Sequence, residues 1–209
     1  MSFFVMIQVT HGTHSSRLGR PSMTATFRDV RYVFLDRDGV INRKAPEGKY
    51  VAQWSELDIL PGVEAAIAAL NHSGRRVIVV SNQRGIALGY YSGGDVEALH
   101  RRLQEHLALH GAHIDAFYYC PHDEGECDCR KPGTGMFLQA FRDFPEASAA
   151  NSIAIGDSPS DIEAARALKM PSIFISGDPS TQKPGGDRAA ELADFTAESL
   201  PAAVQQHLL

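Results

Sequence analysis

The chain has 209 residues, of which 44% are hydrophobic and 22% charged, and its formal net charge is −5. That is enough apolar material for one domain with its own core. The acidic balance argues against nucleic acid or an anionic membrane surface as a partner, since both need a basic face, and no apolar run approaches the roughly 20 residues that span a bilayer.

Residues 1–28 read as a poorly ordered extension, with Met23 as an alternative start. The apolar stretch 2–9 has no basic residue before it and no clear small-residue cleavage site after it, which disfavours a secretory signal. The domain is expected over 29–209. Its apolar run at 32–36 predicts a buried strand, and 61–71 has helical spacing with many alanines. A second strand follows at 76–81, an amphipathic helix at 95–110, and a third strand at 114–119. Residues 120–135 form a loop rich in Cys, Asp, Gly and Pro. Then come a helix at 135–142, a strand at 152–156, a helix at 160–168 and a strand at 171–176. The Pro/Gly-rich stretch 177–187 reads as loop, and 197–207 as a last helix. Strands alternating with helices imply an α/β, Rossmann-like parallel sheet covered on both faces. Such sheets bind ligands beyond the carboxyl ends of their strands, near a switch in strand order. No insertion is large enough for a cap domain, so the site should be open.

The polar residues fall at those strand ends. Asp36 and Asp38 close the first strand, and alternate side chains share a direction there, so both can face one pocket. A carboxylate can attack phosphorus to form an acyl phosphate, and a second carboxyl can protonate the leaving oxygen and then activate water. Two solvated acids in a turn explain the same residues about equally well. Ser81, Asn82 and Gln83 end the second strand with a hydroxyl and amide donors suited to phosphoryl oxygens; a helix N-cap at Ser81 is the plainer reading. Lys131 can neutralise a phosphate or stand in solvent. Asp157, after the fourth strand, can ligate magnesium. Asp161 can orient its neighbours or only complement a helix dipole.

These four segments, in this order over about residues 30–176, resemble the haloacid dehalogenase superfamily of phosphotransferases. The resemblance implies Asp36 as nucleophile, Asp38 as general acid/base, and Ser81 and Lys131 as phosphoryl stabilisers. It implies magnesium held by Asp36, the main-chain carbonyl of Asp38, and Asp157.

All three cysteines lie within ten residues, at Cys120, Cys127 and Cys129, with His122 among them. An odd, clustered set is a poor disulfide framework and a good metal-ligand set. Three sulfurs and an imidazole complete a tetrahedral zinc site with no position left for water, and thiols kept reduced point to the cytoplasm. Acidic neighbours Asp123, Glu124, Glu126 and Asp128 disfavour a nucleic-acid-binding knuckle. The zinc then acts as a staple that places Arg130 and Lys131 beside the phosphate.

With that loop, the runs 34–42, 81–89 and 120–132 look like the D-glycero-D-manno-heptose-1,7-bisphosphate 7-phosphatase family, in a histidinol-phosphatase-like subgroup. The resemblance implies a small sugar phosphate as substrate, contacted by Ser81, Asn82, Gln83, Arg84, Arg130 and Lys131, with 44–50 as a flanking loop. Arg84, and Ser158 after Asp157, depart from the residues common in that family, so the sugar stays open; histidinol phosphate or another small phosphomonoester is the alternative. A non-catalytic binding protein is disfavoured by intact Asp36, Asp38, Lys131 and Asp157. A monomer is favoured. His106 and His110, i and i+4 on a helix, read as a solvated face, because Leu107 stands where a zinc-protease pattern has an acid.

Overall fold

The computed structural model describes residues 27, 29–46, 48–177 and 185–209. Six parallel strands form one sheet in the order β3-β2-β1-β4-β5-β6: β1 Tyr32–Leu35, β2 Arg76–Asn82, β3 Ala116–Cys120, β4 Ser152–Gly156, β5 Ser172–Ile175 and β6 Phe195–Ala197. Helices α1 Val63–His72, α2 Gly93–Leu109, α3 Gly135–Asp143, α4 Pro159–Ala167, α5 Gly186–Leu192 and α6 Leu200–Ala203 connect and cover it. The last helix continues as a π-type turn, Val204–Leu208.

The two-residue period of the strands sorts the core into two layers. Val33 and Leu35 of β1, Val77 and Val79 of β2 and Ile153 and Ile155 of β4 pack with α1, α2 and α6. Phe34, Ile78, Val80 and Ala154 face the other way, onto α3 and α4. Strands buried on both faces read as continuous apolar runs, as expected for a parallel sheet under helices. No helix among the described residues is long and apolar enough to cross a membrane.

The sheet grows outward from β1 in one direction through β2 and β3, and in the other through β4 to β6. The switch therefore lies between β1 and β4, which run in register with Leu35 opposite Ile155. Asp36 and Asp157 leave those neighbouring strands at the same end, which is where such sheets bind ligands.

Three sequence expectations change. The stretch 177–187 does not all read as loop: α5 begins at Gly186. Residues 195–197 form the edge strand β6, so the expected helix at 197–207 starts at Leu200. Strand β3 lies at Ala116–Cys120, two residues later at its start than expected. Of the expected N-terminal extension, Phe27 is docked, with its ring 5.3 Å from that of Phe195 in an edge-on contact; residues 1–26 lie outside the described residues.

Candidate active site

Asp36 is the first residue past β1, and its main-chain N–H still donates to the Ile155 carbonyl at 3.0 Å. Its side chain accepts from the Lys131 ammonium at 2.8 Å. The same ammonium lies 2.6 Å from Asp161 Oδ1 and donates to the Val80 carbonyl at 2.7 Å. Lys131 is thus buried among acceptors. Burial alone would lower its pKa, but Asp161 and Asp36 raise it above the ordinary lysine value, so it is a fixed cation. Asp161 is held in turn by the Ser158 hydroxyl and main-chain N–H at 2.6 and 3.0 Å, which caps α4. A side chain at Gly156 would collide with Asp161, so glycine is required for that approach. The main chain of Lys131 is fixed by Asn82, whose amide donates to the Lys131 carbonyl and accepts from the Lys131 N–H, both at 3.0 Å.

Asp38 sits in a second network. Arg37 curls back and donates to both its oxygens, at 3.0 and 3.2 Å from Nη2. Asn42 Nδ2 donates at 2.9 Å and Gln83 Nε2 at 3.2 Å. Gln83 also donates to Ser81 Oγ at 2.7 Å and accepts from the Tyr91 hydroxyl at 2.8 Å. Burial pushes the Asp38 pKa up, but the Arg37 charge and the Asn42, Arg37 and Gln83 hydrogen bonds outweigh it and hold the carboxyl below its usual range.

The opposite wall is short of positive charge. Asp36, Asp157 and Asp161 each bring an oxygen within 4.8 Å of the others. Lys44 forms an ion pair with Asp157 Oδ2, while Asp157 Oδ1 is buried without a hydrogen-bond partner among the described residues. Burial drives Asp157 up to about 7, and the Lys44 charge offsets only part of that. Burial also raises Asp36, despite Lys131. Gly39, at φ +102°, turns the chain so closely past Asp157 that any side chain there would strike the carboxylate. Under-neutralised carboxylates with a free oxygen suit a hard divalent cation.

Beside Lys131 opens a cavity of ≈ 950 Å³ lined by Asn82, Arg130, Lys131, Ser160 and Glu163. Arg130 lies 3.7 Å from Glu124, and its Nη1 is buried without a partner among the described residues. Arg84 is paired with Asp123 at 2.5 Å, which ties the turn after β2 to the cysteine loop. In that loop the sulfurs of Cys120, Cys127 and Cys129 lie 3.1–3.5 Å apart. His122 Nδ1 is 3.3 Å from Cys129 and 3.6 Å from Cys120. With zinc bonds near 2.3 Å to sulfur and 2.0–2.1 Å to nitrogen, a tetrahedron has edges of about 3.5–3.8 Å. The four atoms are close to that figure already, and no disulfide joins the three cysteines.

The fold thus gathers Asp36, Asp38, Ser81, Asn82, Gln83, Lys131, Asp157 and Asp161 at one end of the sheet. It also recruits Arg37, Asn42 and Tyr91 around Asp38, to which sequence reading gave no role, and sets Lys44, expected only as part of a flanking loop, on Asp157. Their signal was weak, because a buried arginine between two acids looks like any solvated charge until the chain is folded.

The family profile for haloacid dehalogenase-like hydrolases matches residues 6–169. A protein of Mycobacterium bovis named D-glycero-alpha-D-manno-heptose-1,7-bisphosphate 7-phosphatase is 39% identical over 169 residues, covering 80% of this chain and 86% of that relative. The D-glycero-beta-D-manno-heptose-1,7-bisphosphate 7-phosphatase of Rhodopseudomonas palustris is 42% identical over 164 residues, covering 75% and 89%. Among solved structures, D,D-heptose 1.7-bisphosphate phosphatase of B. bronchiseptica, complexed with magnesium and phosphate, superposes with a TM-score of 0.74 at 30% identity, covering 85% of this chain and 97% of that one.

Proposed function

The chain belongs to the haloacid dehalogenase-like hydrolase family, and from that premise we propose that it removes the 7-phosphate of D-glycero-D-manno-heptose 1,7-bisphosphate through a phospho-aspartate at Asp36. The observation that carries this reading is the pairing at one strand end of Asp36, fixed 2.8 Å from Lys131, with Asp38, fixed by Arg37. One carboxylate is set to attack and the other to move protons.

Asp36 attacks phosphorus and the bond from phosphorus to the sugar oxygen breaks. Asp38 gives that oxygen a proton. Asp38 is ionised at rest; the negative charge of an arriving phosphate raises its proton affinity, so it takes up a proton from solvent on binding and returns one to solvent after the second step. Asp38 then takes a proton from water, which attacks the phosphorus of phospho-Asp36, releasing phosphate and restoring Asp36. Ser81 and Lys131 donate to the phosphoryl oxygens. Asp36, Asp157 and the main-chain carbonyl of Asp38 would hold magnesium, which supplies positive charge to the phosphoryl oxygens. Asp161 and Asn82 keep Lys131 in place. Arg130, with a buried Nη1 unpartnered among the described residues, is suited to the remote phosphate of the substrate, and Asn82 lines the same opening, whereas Gln83 and Arg84 are not among the residues that line it. Zinc on Cys120, His122, Cys127 and Cys129 would brace the loop that carries Arg130 and Lys131. Reduced zinc-binding thiols fit a cytoplasmic enzyme.

Phosphorus NMR of reactions with both anomers of the bisphosphate, and with histidinol phosphate, tests this. Loss of the 7-phosphate, leaving the 1-phosphate, is expected at a higher kcat/KM than for histidinol phosphate. Preference for histidinol phosphate, or cleavage at position 1, would defeat the proposal.

A further inference from the structure

We propose a second cation site away from the catalytic centre, in which Glu64 of α1, His106 of α2 and His110, the residue that caps the C-terminus of α2, bind a divalent transition metal of the zinc class. The two histidines are one helical turn apart and share a face; their rings are 4.7 Å apart between centroids. Glu64 completes the set from the neighbouring helix, with its Oε1 3.0 Å from His106 Nε2. Ligand atoms of all three residues lie within 4.8 Å of one another. Bonds of 2.0–2.1 Å to nitrogen and oxygen give a tetrahedral edge of about 3.3 Å, so the His106–Glu64 pair already spans nearly one edge.

At His110 the hydrogen bond selects the tautomer a metal needs. His110 Nδ1 lies 3.0 Å from the His106 main-chain carbonyl. A carbonyl can only accept, so Nδ1 carries a proton, and in the neutral ring Nε2 is the nitrogen with the lone pair. A ligating histidine is commonly held this way, by its other nitrogen. His106 is steadied by the Trp54 ring, at 5.6 Å between centroids. At His106 the metal takes the place of the proton shared with Glu64, and that proton passes to solvent. His106 and Glu64 are about three-quarters buried, with side-chain exposures of 27% and 24%, whereas His110 is exposed. The fourth position therefore opens outward.

Two imidazoles and one carboxylate suit zinc or nickel and not magnesium, which prefers oxygen ligands alone. The two cations therefore do not compete. Bound metal would join α1 to α2, and with them the turn that holds Trp54. The sequence alone read the histidine pair as a solvated face because Leu107 follows His106 where a local pattern has an acid; Glu64, 42 residues away along the chain, joins them only in the fold.

Trp54 is the only tryptophan in the chain, and it touches the site, so its fluorescence reports occupancy. Protein with its cysteine site already zinc-loaded and with magnesium present is titrated with Ni²⁺, and its melting temperature is measured with and without one further equivalent of Zn²⁺. Saturable quenching at one equivalent in the micromolar range is expected, with a rise in melting temperature. Glu64→Gln and His110→Ala should each weaken binding at least about tenfold, or about 1.4 kcal/mol, and abolish the zinc-dependent rise. His113→Ala, an exposed histidine elsewhere, should change neither. Turnover with magnesium should stay at the wild-type value in His110→Ala. Absence of saturable quenching, or equal nickel affinity in His110→Ala and wild type, would overturn the proposal.

Discussion

Arg37 stands between the two aspartates in sequence, and in the fold its guanidinium is buried against Asp38, the Val51 carbonyl and Gln83. A buried charge is tolerated only when it is paired and hydrogen-bonded, and Asp38 is that partner. Arg37 is therefore a positioning residue for the proton-transfer group. Arg37→Met should lower kcat by about 100-fold, the lower end of what a placed acid/base contributes. It should also move the alkaline limb of the pH–kcat/KM profile upward, because Asp38 gives its proton in the first chemical step and the charge that depresses its pKa is gone. A profile that does not move would separate Arg37 from the role of Asp38. Behind Arg37, His100 stacks on Phe117 at 4.4 Å, with its Nε2 3.4 Å from Arg37 Nη1. Burial, and then the Arg37 charge, take its pKa from 6.5 to about 3. The unfolded chain binds a proton below 6.5 that the folded chain refuses, so this residue's stabilisation is complete above 6.5. It is lost as pH falls toward 3, by at most about 1.4 kcal/mol per pH unit. In urea unfolding from pH 7 to 4.5, the stability of His100→Gln should therefore fall less steeply than that of wild type. Parallel pH dependences would mean that His100 is not held neutral. The paired acids and the serine were legible in sequence because their chemistry is tied to strand ends, whereas Lys131, in the loop after β3, was assigned through the family resemblance. Arg37, Asn42, Lys44 and His100 were not legible, since their roles come from contacts made by folding.

Elements were legible where the apolar pattern was long. The runs that became β1, β2 and β4 are buried on both faces and admit no polar interruption. The edge strand β6 was missed because three residues, buried, exposed and buried, are too few to show a period. Its pairing with β5 comes from tertiary contact. The cysteine loop is the reverse case: it has no regular structure, yet its ligand types and spacing foretold a cluster that the fold does assemble. Metal binding orders such a loop, so its free energy is shared with folding. Purified protein should carry one zinc here by elemental analysis. Cys127→Ser should lose it, melt at a lower temperature, and show a raised KM together with a lowered kcat as Arg130 and Lys131 shift. Full activity and unchanged melting without zinc would remove the loop from the mechanism.

At the scale of the whole molecule, the strand order puts the switch point between β1 and β4, and the carboxylates proposed for catalysis lie there by topology. The sequence indicated the parallel sheet and the end at which ligands bind. It could not indicate which loops would meet, since Lys131 is 95 residues from Asp36 and Lys44 is 113 residues from Asp157. The central claim is that one of these carboxylates, Asp36, carries the phosphoryl group. Asp38→Asn lacks the base proposed to activate water, so this variant should retain the acyl phosphate it forms. Borohydride quenching during turnover of heptose bisphosphate with magnesium reduces an acyl phosphate to the alcohol. Peptide mass spectrometry should then find homoserine at position 36, only when substrate is present, and none in Asp36→Asn, which should also be inactive while melting like wild type. Reduction at another residue, or sustained turnover by Asp36→Asn, would contradict the account.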